Sequence, residues 1–259
     1  RIYAKARAAM QSEADTYVAQ NLSNVARWLD ENHATNQPFF LFVDEFDPHW
    51  PLDPPEPYRS MYLEDKVLAE EELTTTYHSA WAKDYTQEEL TWLNAQAAGK
   101  ITLVDRWLGE VFDRLERYAL WDNTLVILTS DHGEFIGEYG QMSKGHGFSY
   151  PLFARIPLLI HAPGSPIMGG ATSALTCTVD LNATVLDYLG HPADEQAHGR
   201  SLLSLLRGEM TETHRERSGV NERSGVIYGW WGKGFYWTDG HTLLCKAPEA
   251  SGPLYQYGT

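Results

Sequence analysis

The sequence predicts an α/β protein with a mainly parallel sheet sandwiched by helices, followed by a small antiparallel β C-terminal subdomain. Short apolar runs alternate with amphipathic segments long enough to be crossover helices, and the runs end at polar or acidic residues. Beyond Gly208, short Gly- and aromatic-rich runs are typical of antiparallel hairpins. We therefore expect an α/β domain over residues 1–208 and a β-rich subdomain, present only in part, over residues 209–259.

Two amphipathic helices are predicted from the spacing of apolar residues. In residues 12–32, the i, i+4, i+7, i+11 positions of one helix face are all apolar: Val18, Leu22, Val25 and Leu29. A second stripe defines a later helix: Ile101, Val104, Leu108, Val111 and Leu115. Residues 59–95 are polar and aromatic, and we expect them to form helices and loops over one face of the domain.

Three apolar runs are predicted to be strands. Residues 39–43 are typical of a buried parallel strand, and a proline-rich loop follows them. The second run, residues 124–129, follows the turn "WDN", and the third lies in "RIPLLIHAPG". The segment "VDLNATVLDYLG" indicates a further helix, with Asp180 as its N-cap and Gly190 at its C-terminal end, and "SLLSLLRG" indicates a short one.

The composition excludes several classes of partner. The chain has 259 residues and a formal net charge of −15, so nucleic acid and anionic membranes are poor partners for it. No apolar run reaches the length of a membrane span, so we expect a soluble protein. Cys177 and Cys245 show no metal-binding spacing and are expected to be free thiols. The chain opens at Arg1, and we expect it to start within a longer protein, so its compartment is unknown.

Polar side chains that can bind a metal follow two of the predicted strands. Ligands of open α/β sheets bind beyond the carboxyl ends of the strands, where the sequence has the acidic stretch 44–49, ending in His49, and then Asp131 and His132. A carboxylate oxygen and an imidazole nitrogen suit one metal ion, and Gly133 lets the backbone turn away. Taken alone, the motif is explained equally well by an aspartate that caps a turn and a histidine that bonds a carbonyl.

Lys144 and His146 lie on the Gly- and Ser-rich loop after the second of these sites. An ammonium group and a second imidazole can hold the oxygens of a tetrahedral anion. Together with the Asp131–His132 pair, these two residues favour a site for a cation and an oxyanion. Each residue also has a plainer interpretation. Lys144 alone would be a solvated surface lysine, and His49, between two prolines, would be a packed loop histidine.

These segments together resemble a known family. "LWDNTLVILTSDHGEFIGEYG", then "KGHG", then "RIPLLIHAPG", resembles the C-terminal half of the sulfatase catalytic domain, in the alkaline-phosphatase-like superfamily. In the same chain order, "PFFLFVDEFDPHWPLDPP" resembles the family's strand and loop with the substrate-site histidine, and "ITLVDRWLGEVFDRLE" resembles its helix before the Asp-His strand. "TVDLNATVLDYLG" with "HGRSLLSLLRG", and finally "GPLYQYG", are similar to later segments. The resemblance implies the alkaline-phosphatase-like fold.

The resemblance also implies a role for each site residue. Asp131 and His132 would bind a divalent metal ion, Ca²⁺ being the ion that the family favours, and Lys144 would contact sulfate or phosphate oxygens. His49 would hydrogen-bond the ester oxygen and help the leaving group depart. His146 would act beside Lys144, although the family more often has Lys followed directly by His, and here a glycine intervenes. An imidazole ligand suits Mn²⁺ or Zn²⁺ better than Ca²⁺.

Two features of the family are not found in this sequence. The family attacks its ester with a formylglycine made from Cys or Ser in a Cys-x-Pro-x-Arg setting, which neither Cys177 nor Cys245 has. The family's early Asp-Asp pair is also missing. We therefore expect the N-terminal half of the same protein to supply both, and the chain alone to be inactive. The resemblance leaves three functions open: a fragment of a sulfatase acting on small-molecule or carbohydrate sulfate esters, a phosphonate monoester or phosphodiester hydrolase on the same scaffold, or a non-catalytic fragment or pseudoenzyme.

Overall fold

The structure, a computed structural model, describes residues 12–35, 37–64, 77–144, 152, 155–166, 169–192, 196 and 198–208, and the backbone of four strands between Val226 and Gln256. Its helices are α1 (Tyr17–Asn32), α2 (Gln87–Arg117), α3 (Val179–Tyr188) and α4 (Leu203–Leu206). Its strands are β1 (Val126–Thr129), β2 (Phe135–Ile136), β3 (Met142–Ser143), β4 (Leu158–His161), β5 (Val226–Trp230), β6 (Gly234–Thr238), β7 (Thr242–Lys246) and β8 (Leu254–Gln256). Short 3₁₀ turns cover Glu13–Asp15, Ala82–Asp84, Leu120–Asp122 and Glu138–Gly140.

The chain divides into two compact units. Unit 1 holds Arg1–Trp121 and Glu134–His146, and unit 2 holds Asp122–Gly133 and Gly147–Thr259. Unit 1 therefore contains α1, α2, β2 and β3, and unit 2 contains the remaining helices and strands. The division into domains at residues 208 and 209 stays a prediction. Among the described residues, no helix combines the length and the apolar character that crossing a membrane requires.

Helix α1 confirms the first predicted helix. The Thr16 hydroxyl accepts a hydrogen bond from Ala19 N at 3.3 Å and so caps one of the backbone donors that a helix start leaves unpaired. A 3₁₀ turn precedes the helix, which therefore begins at Tyr17 rather than at residue 12. All four residues of the predicted stripe are buried: Val18, Leu22, Val25 and Leu29.

Helix α2 is longer than the sequence predicted, with 31 residues. A capping box starts it: Glu89 N donates to Thr86 Oγ1 at 3.1 Å, and Thr86 N donates to the Glu89 carboxylate at 2.8 Å. Ile101, predicted to lie in the buried stripe, is 57% exposed, whereas Leu103 is buried. The buried face of α2 includes two polar side chains, Gln96 and Lys100, which an apolar pattern does not detect.

Two clusters of buried side chains form the core of unit 1. One combines loop, helix and strand residues: Leu52, Tyr85, Trp92, Leu93 and Met142. The other joins α1 to α2: Val18, Leu22, Tyr58 and Leu103. Residues 52 and 58 belong to the proline-rich loop that follows residues 39–43, so this loop is packed into the core of unit 1.

Polar contacts also tie the C-terminal ends of α1 and α2 together. The Tyr118 hydroxyl donates to Asp30 Oδ1 at 2.8 Å, and Arg114 Nε lies 3.4 Å from the same oxygen. The hydrogen bond from Tyr118, aided by the charge of Arg114, lowers the pKa of Asp30 below its ordinary value. Asp30 is therefore ionised at neutral pH, and its carboxylate links the two helices.

Residues 39–43 have no regular secondary structure and are not the buried strand that the sequence predicted. Phe40 is 74% exposed and Phe42 is 77% exposed, and no described strand is hydrogen-bonded to the segment. Phe39 packs edge-on against Trp28, with ring centroids 5.2 Å apart. The pattern identified an apolar run correctly, but burial of a strand depends on neighbouring strands that a local pattern does not reveal.

The two strands predicted on either side of the Asp-His motif are present in unit 2 and pair with each other. β1 and β4 are antiparallel, with Val126 opposite His161 and Thr129 opposite Leu158. Every strand pair in the described part of the chain is antiparallel, including the β2–β3 hairpin of unit 1. The predicted mainly parallel sheet is therefore not confirmed, because alternation of strands and helices does not itself fix strand direction.

Helix α3 begins two residues earlier than the predicted N-cap implies. Its N-cap is Thr178, and Asp180 lies inside the first turn with a side chain that is 1% exposed. The Asp180 carboxylate accepts hydrogen bonds from Cys177 N and Arg200 N, both at 2.8 Å. Gly190, with φ of +71°, follows the helix as predicted.

The end of unit 2 is an antiparallel sheet with strand order β5-β6-β7-β8. Val226 lies opposite Thr238 across the first pair, and Thr242 lies opposite Gln256 across the last. This arrangement agrees with the antiparallel hairpins that the Gly- and aromatic-rich sequence predicted. Cys177 is a free thiol, as predicted, and the side chain of Cys245 lies outside the described residues.

Candidate functional site

His49 lies on a loop that the rest of unit 1 holds in place. Leu52, on the same loop, is 2% exposed and belongs to the core. At the start of the loop, the Asn21 amide of α1 donates to Asp44 O at 3.0 Å and to the Glu45 carboxylate at 2.7 Å. The loop is therefore fixed by a buried side chain and by hydrogen bonds from α1, which is the support that a functional loop needs.

Lys100 of α2 binds the same loop through a buried ammonium group. Its side chain is 5% exposed, and Nζ lies 2.5 Å from Asp47 Oδ1. Nζ also donates to His49 O at 2.8 Å and to Pro51 O at 3.1 Å. An ammonium group has three donors, so all three are used. A buried cation without such partners would be strongly unfavourable, which makes this arrangement an organised one.

The His49 ring is oriented by its own loop. Nδ1 lies 2.8 Å from Trp50 O, and a carbonyl oxygen only accepts, so Nδ1 carries the proton. The ring also packs against the Phe46 ring, with centroids 4.5 Å apart. In the neutral imidazole, Nε2 is then the basic nitrogen, and in the imidazolium it is a second donor.

Trp50 connects this loop to the chain that follows the Asp-His motif. Its Nε1 donates to Glu134 Oε1 at 2.8 Å, within unit 1. Glu134 comes directly after Gly133 in the sequence and precedes β2. Within unit 1, this hydrogen bond therefore joins the His49 loop to the segment that leads into β2.

A cavity of about 730 Å³ lies beside the loop in unit 1. Carboxylates are prominent on its wall, which includes Asp44, Glu45, Asp47 and Asp53. Lys100 is the cation among the described residues that line it. The wall therefore carries a net negative charge and does not by itself suit an anionic ester.

Asp131 and His132 follow β1 directly in unit 2 and form a close pair. Asp131 Oδ2 lies 3.3 Å from His132 Nε2, while Asp131 Oδ1 accepts a hydrogen bond from His132 N at 2.9 Å. His132 Nδ1 lies 2.8 Å from Gly133 O and donates to it. The Asp131 side chain is 86% exposed and that of His132 is 16% exposed.

This pair offers two of the atoms that a metal site uses, a carboxylate oxygen and an imidazole nitrogen. A histidine ligand typically donates one ring N–H to a carbonyl, which directs the lone pair of its other nitrogen towards the metal, and His132 is arranged in this way. Its Nε2 and the Asp131 oxygen repel each other unless a proton or a cation lies between them. Within the described part of the chain, no group of three or more His, Cys, Asp or Glu side chains could hold a metal ion. The pair therefore fits part of a metal site and needs further ligands.

The structure brings some of the predicted residues together and leaves others as predictions. Asp131 and His132 are adjacent in unit 2, whereas His49 and Lys144 belong to unit 1. Lys144 is half-buried and directly follows β3. His146 lies outside the described residues. The convergence of these side chains on one substrate stays a prediction.

The sequence analysis missed three residues that contact the His49 loop: Asn21, Lys100 and Glu134. Lys100 precedes Ile101, the first residue of the predicted stripe, and the buried face that it shares with Gln96 and Leu103 is visible only in the structure. Glu134 carried no signal either, because its contact with Trp50 joins residues that are 84 positions apart.

Comparison with known proteins decides the family. The sulfatase family model matches residues 3–191, which is most of the chain. This chain belongs to the sulfatase family. It is 32% identical over 195 residues to the multifunctional alkaline phosphatase superfamily protein PehA of Trinickia caryophylli, and 28% identical over 200 residues to an arylsulfatase of Clostridium perfringens. These matches cover 66% and 70% of this chain, but 38% and 40% of the two relatives.

The fold of this sulfatase-family chain is similar to that of solved hydrolases. The phosphonate monoester hydrolase of Agrobacterium radiobacter matches with a TM-score of 0.73 and 24% identity, covering 95% of this chain and 55% of that one. The phosphonate monoester hydrolase of Silicibacter pomeroyi matches with a TM-score of 0.70 and 23% identity, covering 94% of this chain and 53% of that one. At these identities the similarity shows the fold, which is alkaline-phosphatase-like.

Proposed function

We propose that this chain is the C-terminal part of a metal-dependent hydrolase that cleaves sulfate monoesters. The observation that carries the proposal is the Asp131–His132 pair, whose oxygen and nitrogen lie 3.3 Å apart in a chain of the sulfatase family. The chain spans about 40% of the length of the curated relatives that it matches. We therefore propose that the N-terminal half of the same protein supplies the nucleophile and two further aspartate ligands, and that the chain alone is inactive.

The candidate residues would have separate roles in this reaction. A divalent cation, when bound, neutralises charge on the ester oxygens, and Asp131 and His132 would hold it. Lys144 would pair with another oxygen of the ester, and His146 would assist it. His49 would give a proton to the leaving oxygen from Nε2, since its Nδ1 proton is engaged with a backbone carbonyl.

The metal and the substrate are part of the proposal. Ca²⁺ is the family's usual ion, while the imidazole of His132 would also suit Mn²⁺ or Zn²⁺. One relative, the N-acetylglucosamine-6-O-sulfatase of Bacteroides thetaiotaomicron, is 35% identical over 109 residues. Its name supports a sulfated carbohydrate as one substrate class for this chain, beside small-molecule sulfate esters.

The exposed segment 39–43 supports the proposal of a further half. Five large apolar side chains in a row are each at least 37% exposed, and such a run in a folded protein normally contacts another surface. We propose that strands of the N-terminal half lie beside this segment and complete a mainly parallel sheet. The sequence pattern of the run, apolar on both faces, is that of a strand buried within such a sheet.

A phosphonate monoester or phosphodiester hydrolase is the second candidate. Two observations favour it: the TM-scores of 0.73 and 0.70 to phosphonate monoester hydrolases, and the presence of His132 where an oxygen ligand would suit Ca²⁺ better. A non-catalytic fragment is the third candidate, favoured by the lack of a Cys-x-Pro-x-Arg motif in the chain.

The test is a substrate comparison on the complete gene product and on this chain alone. We expect 4-nitrophenyl sulfate to be hydrolysed with a higher kcat/KM than 4-nitrophenyl phenylphosphonate or bis(4-nitrophenyl) phosphate, in Ca²⁺, Mn²⁺ or Zn²⁺. A higher kcat/KM for either phosphorus ester would favour the second candidate, and no turnover of any ester would favour the third. Turnover by this chain alone would contradict the proposal that the nucleophile lies elsewhere.

An alkyl sulfate ester, whose leaving alkoxide needs a proton, tests His49 against a matched control. On that substrate His49→Gln should lower kcat by about 10²–10⁴-fold, because the leaving oxygen would lose its proton donor. His78→Gln changes an exposed histidine of the same unit and should leave kcat unaltered. Equal activity of both variants would remove His49 from the mechanism while leaving the substrate comparison valid.

A further inference from the structure

We propose that Lys100 is a positioning residue for His49: it holds the backbone of residues 49–51 so that the His49 ring keeps its proton on Nδ1 and presents Nε2. This inference rests on the proposed function only in giving His49 a catalytic role. The geometry that carries it concerns three successive backbone carbonyls and one buried ammonium group.

Each of the three carbonyl oxygens accepts a hydrogen bond. Lys100 Nζ donates to His49 O at 2.8 Å and to Pro51 O at 3.1 Å, and Trp50 O, between them, lies 2.8 Å from His49 Nδ1. Rotation of either peptide unit between residues 49 and 51 would break one of these bonds. Lys100 therefore determines where the acceptor for the His49 ring lies, although it does not touch the ring itself.

Lys100 is suited to this task because its side chain is buried and all three donors of its ammonium group are used. Its side chain is 5% exposed and lies in the middle of α2, and Asp47 Oδ1, at 2.5 Å, balances its charge. The nearby side-chain contacts of the loop do not replace it. Trp50 Nε1 fixes the indole to Glu134, and Phe46 packs on the His49 ring, but neither contact orients the Trp50 carbonyl.

A matched control exists one turn earlier on the same helix. Gln96 is 0% exposed, and its Nε2 donates to Arg59 O at 2.9 Å. Gln96 is thus also a buried polar side chain of α2 that holds a loop carbonyl. That carbonyl belongs to Arg59, ten positions along the chain from His49. Gln96→Met should loosen the attachment of the loop to α2 without changing the His49 ring.

The direct experiment reads the protonated ring nitrogen of His49 by long-range ¹H–¹⁵N NMR on the complete gene product, without substrate or metal. We expect the Nδ1–H form in the wild type and in Gln96→Met, and a mixture of the two neutral forms in Lys100→Met. Because Lys100→Met leaves Asp47 buried without its cation, the double variant Asp47→Asn with Lys100→Met, which removes both charges, should give the same mixture. Retention of the Nδ1–H form in the folded double variant would overturn the proposal.

Kinetics of the complete gene product on the alkyl sulfate ester separate a positioning role from a structural one. Lys100→Met should lower kcat by about 10–100-fold with a smaller change in KM, the size expected when a catalytic group is misplaced. In a His49→Gln background the same substitution should lower kcat by less than about twofold, because Lys100 acts only through His49. An undiminished loss in that background would overturn the proposal. If His49→Gln were fully active, the proposed function of His49 would fail, and the NMR result would still decide the role of Lys100.

Discussion

Asp131 and His132 show at the scale of single residues what a short motif leaves open. The hydrogen bonds from His132 N to Asp131 Oδ1 and from His132 Nδ1 to Gly133 O fit both a capped turn and a pair of metal ligands. The approach of His132 Nε2 to within 3.3 Å of Asp131 Oδ2 is the contact that favours the second. Both atoms carry lone pairs, so this distance is favourable only when a proton or a cation lies between them.

We expect Asp131→Asn to reduce the metal affinity of the complete gene product. Loss of a residue that only hydrogen-bonds a metal ligand costs about 10–100-fold in affinity, and loss of a ligand itself should cost more. An amide oxygen is a weaker ligand than a carboxylate because it carries no charge. The measurement is metal content after dialysis against a fixed free concentration of Mn²⁺. Asp122→Asn, at an exposed aspartate of the same unit, is the control and should retain the metal. Equal metal content in the two variants would remove Asp131 from the ligand set.

Helix α2 is the element that holds the candidate site in unit 1, and Gly99 is where the proline-rich loop comes closest to it. A Cβ atom at residue 99 would lie 2.3 Å from Tyr58 O and 3.1 Å from Pro54 Cγ. Glycine is therefore required there by a close approach of two backbones, at a position where alanine would otherwise favour the helix. The same contact brings the loop near Lys100, the next residue along the helix.

Gly99→Ala should destabilise the protein by about 1–3 kcal/mol, because the loop would have to move away from α2. Gly109→Ala is the matched control on the same helix, since a Cβ there has no neighbour within 4 Å. It should stabilise the protein by about 0.5–1 kcal/mol through the helix preference of alanine. Denaturant unfolding of both variants measures the difference. Equal free energies of unfolding would show that the loop does not constrain residue 99.

The contrast between local pattern and tertiary contact explains what could be predicted from the sequence. The stripe of α1 was found because helical periodicity is local, and β1 and β4 were found because apolar runs are local. Their antiparallel pairing, the exposure of Phe40 and the burial of Lys100 depend on residues far apart in the chain. For the candidate site, the motif singled out Asp131 and His132, whose role stays a prediction, while Lys100 and its contacts with the His49 loop required the structure.

At the scale of the whole molecule, the net charge of −15 opposes the binding of an anionic ester. A site for such a substrate needs local positive charge, which the proposal assigns to a metal ion on Asp131 and His132 in unit 2 and to Lys144 in unit 1. The described cavity beside the His49 loop, with its carboxylates, does not supply that charge. The proposed function therefore requires that the cation and Lys144 act on one oxyanion.

Such joint action has a thermodynamic signature. If the metal and Lys144 bind one oxyanion, then Mn²⁺ should raise the affinity of the complete gene product for sulfate, and sulfate should raise its affinity for Mn²⁺ by the same factor, about 5–150-fold. Isothermal titration of each ligand, with and without the other, measures both factors. Lys144→Ala should weaken sulfate binding but leave the affinity for Mn²⁺ alone unaltered, whereas Lys83→Ala, at an exposed lysine of unit 1, should change neither. Independent binding of the two ligands would mean that these residues serve separate sites, because two groups that hold the same anion are necessarily coupled.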